Sequence, residues 1–139
     1  MRNRYVCSIA AATAVAMLIA WQGNSVAGDL SGQQDFVTNC APCHGTNGKG
    51  HGKSLYLVPN GKPPDLTMLS KDNGGKFPTK MVYKSIDGRN GIPPHQRFDM
   101  PFWGTEFQPQ GQEFTTAGNA QVKTRIMRIV NYIKTIQQK

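Results

Sequence analysis

Cysteine is scarce in this sequence. Cys7, Cys40 and Cys43 are the only three in 139 residues. That number excludes a disulfide-dense scaffold and a four-thiolate zinc site. Acidic residues are also few, 8 against 16 Lys and Arg, so the formal net charge is +8. The basic residues form no long run and no recognisable nucleic-acid motif accompanies them, which argues for an acidic protein surface as partner and against nucleic acid. No apolar run reaches the ~20 residues needed to span a bilayer. The longest one, from Val6 to Ala20, is shorter. No internal repeat and no low-complexity segment is present.

The N-terminus reads as a secretory leader. Arg2 and Arg4 precede the apolar run, and Ser25-Val26-Ala27 offers a small-x-Ala cleavage site before Gly28. The expected organisation is therefore a signal peptide over 1–27 and one domain over 28–139, with periplasmic localisation and no stable membrane insertion after cleavage. The alternative is that the segment is retained as an anchor. Loss of Arg2 and Arg4 takes the formal charge from +8 to +6. Cys7 leaves with the leader, and it is misplaced for a lipid-modified N-terminus. A domain this small buries a modest core and commonly needs a covalent or metal staple.

The two remaining cysteines stand in Cys40-Ala41-Pro42-Cys43-His44. Cys-x-x-Cys-His is the attachment motif of haem c. Two thiols three positions apart can each add to one vinyl group of a single porphyrin, and the adjacent imidazole then lies under the iron. Other chemistries fit less well. A thioredoxin-like pair follows a strand, whereas the residues before Cys40 read as helix. A zinc site needs a second Cys/His pair that is missing. A lone disulfide leaves His44 unexplained.

Periodicity predicts an all-α chain with three main helices. The first starts near Ser31, where Ser31 and Gln34 form a capping-box pattern, and carries Gly32, Phe36 and Cys40 on one face. The second runs from Pro78 to about Ile86, with Gly88 just past its end. The third spans 117–137, with Ile126, Ile129, Val130, Ile133 and Ile136 at helical spacing. Between them lie Gly- and Pro-rich loops. Residues 45–53 cannot form a stable helix.

Taken together, residues 40–44, the terminal helix pair, Pro63-Pro64-Asp65-Leu66 and Met100-Pro101 resemble the class I c-type cytochromes. The resemblance implies a cytochrome c-like fold around one covalent haem c, with Cys40 and Cys43 as attachment sites and His44 as an iron ligand. It implies that Gly32 and Phe36 pack against Ile129 and Tyr132. It implies that the Pro64 carbonyl accepts the second ring N–H of His44 and that Leu66 packs on the ring. It also implies Met100 as the distal ligand, from the loop that runs on to Gly104. His95 is the rival for that position. Met81 and Met127 fall inside predicted helices as core filler, Met68 follows Leu66 too closely, and His51 reads as a surface residue. Phe98, Phe102 and Trp103 are expected to shield the ring.

The function implied is single-electron transfer by a six-coordinate carrier, not an enzyme, with Lys49, Lys53, Lys62 and Lys71 steering an acidic redox partner. The alternatives are a dedicated haem subunit of a dehydrogenase or oxidase complex, and a ligand-binding or peroxidatic protein with an open distal site. Four-helix cytochromes of the latter kind carry the attachment motif near the C-terminus. Mass spectrometry of the exported protein is expected to find a chain that begins at Gly28 and is heavier than its sequence by one haem. A chain of unmodified mass would remove the cofactor assignment.

Overall fold

The computed structural model describes residues 25–54, 62–90 and 100–139. The apolar run at 6–20, His95 and Phe98 lie outside these. Among the described residues the chain is helical with no strand. Three longer helices carry the fold: α1 (Ser25–Asn39), α4 (Thr79–Asp87) and α6 (Thr116–Thr135). Three short ones, α2 (Ala41–His44), α3 (Leu69–Asp72) and α5 (Trp103–Glu106), sit in the connections. No helix among the described residues is long and apolar enough to cross a membrane.

The core forms where α1 meets α6. Phe36, Val122, Ile126, Ile129 and Val130 are fully buried there. Gly32 makes the crossing possible, because a Cβ at that position would collide with the Arg128 carbonyl oxygen. Four residues on, the Phe36 ring lies 5.1 Å from that of Tyr132, tilted by 50°, a favourable edge-to-face range for aromatic pairs. Asp35 accepts two hydrogen bonds from Arg125, at 3.0 and 2.7 Å, and so ties the same two helices at their polar margin. The Arg125 guanidinium also lies 3.8 Å from the centre of the Phe107 ring.

The start of α1 differs from expectation. The helix begins at Ser25, and Ser31 lies within it. The capping-box pattern is local, and nothing from Val26 to Leu30 stops a helix. Gly28 costs only about 1 kcal/mol against Ala. The starts of α4 and α6 match the sequence reading more closely. Gly88 closes α4 in the left-handed conformation at φ 70°, which glycine adopts without steric cost. Thr115 caps α6 by accepting the Gly118 N–H at 3.0 Å.

Replacing Gly32 by Ala weighs two opposed effects. Helix propensity would stabilise by about 1 kcal/mol, and overpacking against backbone would destabilise by about 1–3 kcal/mol. Because the obstructing atom is a helix carbonyl and not a mobile side chain, Gly32→Ala is expected to lower the denaturant midpoint. A midpoint at or above that of the parent would contradict the close crossing.

Candidate functional site

The α1–α6 crossing places the Cys-x-x-Cys-His run. The backbone continues from α1 into α2 through Cys40, whose N–H bonds to the Phe36 carbonyl at 2.8 Å, while the His44 N–H bonds to the Cys40 carbonyl at 2.8 Å. Helical geometry thus fixes both cysteines and the histidine on one short turn. The turn ends at once, leaving carbonyls that need donors. The glycine-rich loop supplies them. Gly50 N–H bonds to the His44 carbonyl at 2.8 Å, Gly52 N–H to Cys43 at 3.0 Å and Ser54 N–H to Pro42 at 2.9 Å. The loop that cannot be helix is therefore the cap of the helix before it.

Cys40, His44, Pro64, Leu66 and Met100 line one apolar cleft. Phe36 and Ile133 contribute from the helix crossing, and Met81, Val82 and Ile86 from α4. His44 is buried, and Met100 and Leu66 are half-buried. Burial pushes the Cys40 thiol up to about 12, with the nearby Asp35 charge adding to the effect. The two thiols are not joined to each other. Cys43 is half-buried and is not among the side chains lining the cleft.

Some residues stand differently from expectation. Pro64 is exposed at the rim while Pro63 is buried. Pro64 nevertheless lines the same cleft as His44. Met81 is not core filler: it is 52% exposed and lies at the cleft. Val82 and Ile86, four apart, carry the buried face of α4, and Met81 sits a hundred degrees or so from Val82. Phe102 is 46% exposed. Its ring covers Gly88, where a Cβ would strike it. Trp103 stacks on Phe107 with ring centres 4.9 Å apart, so it belongs to the core side of α5. Lys49, Lys53, Lys62 and Lys71 are all exposed. Lys62 Nζ lies 2.8 Å from His51 Nε2, which gives His51 a surface role.

Two polar clusters were not singled out from the sequence. At the end of α6, Gln137 donates to the Leu66 carbonyl at 2.7 Å and accepts from the Ser70 N–H at 2.8 Å. Gln138 bonds Thr67 through both its backbone and its side chain. Asp65 caps the same stretch through the Thr67 N–H and hydroxyl, bonds that lower its carboxyl below the usual range. These contacts hold Leu66 at the cleft. The second cluster joins Asp87, Arg89, Gln108 and Asn119. Long-range pairings of side-chain amides carry no periodic signal.

The donor chemistry can be tested against a cofactor. Among the described residues no three His, Cys, Asp or Glu side chains cluster as a metal site. An apolar slot with one imidazole, two thioethers and a thiol instead suits a flat apolar ring that brings its own metal-binding nitrogens. Haem c fits that set. Comparison with curated proteins and with solved structures found no match. The sequence profile of the family described as Cytochrome c matches residues 30–137, a span that contains every residue lining the cleft. With that span and this cleft on one chain, the protein is a member of the cytochrome c family, all-α in fold and built to carry covalently attached haem c for electron transfer.

Proposed function

We propose that the chain is a periplasmic shuttle for single electrons, exported by the leader at 1–27, with His44 and Met100 as the side chains that would hold the iron of its haem c. The observation that carries this reading is that the His44 imidazole and the Met100 side chain line the same apolar cleft as Cys40. When bound, haem c supplies a reversible one-electron iron couple. Cys40 and Cys43 would hold the ring through two thioethers. His44, fixed by its place on α2, presents its imidazole at a set distance from both. Met100 supplies a soft thioether that favours the ferrous state. Phe36, Leu66, Val82, Ile86 and Ile133 exclude water, which disfavours the more charged ferric site and raises the potential. Export of this kind is common among the family's members.

A site filled on both sides leaves no place for a substrate, which separates this reading from a gas-binding or peroxidatic one. A dedicated subunit of an oxidoreductase complex would use the same site. The diffusing shuttle is favoured by the cationic surface beside the cleft. On α4, Lys80 and Lys84 flank the exposed Met81, so an apolar contact point is set between two positive charges. An acidic redox protein is the partner this surface suits.

The ferric protein is expected to show the far-red band of a sulfur–iron bond, and Met100→Ala to abolish it and lower the potential. A high-spin spectrum in the parent would remove the carrier reading. Electron exchange with an acidic redox protein is expected to slow as ionic strength rises from about 10 mM to about 150 mM, where the screening length falls from ~30 Å to ~8 Å. Lys80→Glu with Lys84→Glu is expected to flatten that dependence. A rate indifferent to salt in the parent would rule out electrostatic steering.

A further inference from the structure

We infer that the Asp87–Arg89–Asn119 network is the anchor that holds the Met100 segment in the cleft, making Arg89 a positioning residue for the distal ligand; this rests on the reading of Met100 as that ligand. Asp87 is 5% exposed at the end of α4. A carboxylate so buried is tolerated only when paired and hydrogen-bonded. Arg89 meets it as a fork, Nε to Oδ1 at 2.5 Å and an Nη to Oδ2 at 3.3 Å. The other Nη of Arg89 donates to Asn119 on α6 at 2.7 Å. Gln108 donates to the same Asn119 oxygen at 3.1 Å and to the Gly104 carbonyl at 3.3 Å.

The placement of these groups along the chain makes the network more than a core filler. Arg89 precedes Met100 in sequence, and Gly104 and Gln108 follow it. Gly104 packs so closely on Asp87 that a Cβ would overlap the carboxylate and the Arg89 guanidinium. Both flanks of the Met100 segment therefore close on one carboxylate. Just after Met100, Pro101 and Phe102 are both exposed, and Trp103 is the next side chain packed on the core, so the polar network adds ties that apolar contact alone does not supply there. Ile86, the neighbour of Asp87, is itself a wall of the cleft. The helix end that carries the anchor thus also carries part of the wall, so the ligand segment is set against the surface it must face.

Imidazole competes with a methionine for ferric iron, and its apparent affinity reports how readily that methionine leaves. The test is an imidazole titration of the ferric holoprotein, followed at the far-red band, for the parent, Arg89→Gln, Asn119→Ala and Ile126→Val. Ile126 is fully buried and belongs to neither the cleft nor the network, so Ile126→Val thins the core and controls for lost stability. Arg89→Gln is expected to bind imidazole about tenfold or more tightly than the parent, Asn119→Ala to move in the same direction, and Ile126→Val to stay close to the parent. Equal shifts in Arg89→Gln and Ile126→Val, or no shift in Arg89→Gln, would overturn the inference. If Arg89→Gln fails to fold, Asn119→Ala decides by the same criterion. A parent without the far-red band would overturn the Met100 reading itself, and the anchor with it, an outcome distinct from a parent with the band and an unresponsive Arg89→Gln.

Discussion

The contact between Gly32 and the Arg128 carbonyl sets the distance between the first and last helices, and the rest of the site is built outward from it. With α1 and α6 so close, Phe36 is sealed beneath Tyr132 and Ile129. The next turn of the same backbone then delivers Cys40 and His44 beside Ile133. A side chain at position 32 would push the helices apart, and the reactive turn would move with α1. Close packing transmits such a displacement because interiors have few voids to absorb it.

Around that crossing the molecule divides its labour between apolar and polar parts. The cleft is walled by aliphatic and aromatic side chains that fit a flat, water-averse ring. The connections that place those walls are held by hydrogen bonds. The loop after His44 caps the turn before it, the C-terminal glutamines grip the Leu66 stretch, and the carboxylate at the end of α4 gathers the chain on both sides of Met100. Each of these connections is tied at a few points to a helix.

Much of this was legible in the sequence where the signal is local. The Cys40–His44 spacing names a chemistry by itself. The Ile126, Ile129, Val130 and Ile133 pattern announces a helix with one buried face, and Gly88 marks where α4 stops. Local signals also misled. Ser31 and Gln34 match a helix start yet stand inside a longer helix, because the residues before them permit helix as readily as those after. Met81 shares the helix of Val82 and Ile86 and reads as interior, but a turn of about a hundred degrees carries it to the rim. The pairings of Arg89 with Asn119 and of Gln137 with Leu66 were not visible at all. Such bonds depend on which surfaces meet after folding, and a lone glutamine or arginine in sequence does not declare its partner.

The C-terminal grip has a consequence for how the protein is made. Gln137 reaches back 71 residues to Leu66, and Arg125 reaches back 90 to Asp35. Contacts of such separation slow folding, since the long intervening chain must be closed before they reward it. A polypeptide whose last residues have yet to emerge from synthesis lacks these contacts and cannot complete its interior. Until the tail arrives, the paired thiols stand on an open strand within reach of whatever delivers their prosthetic group.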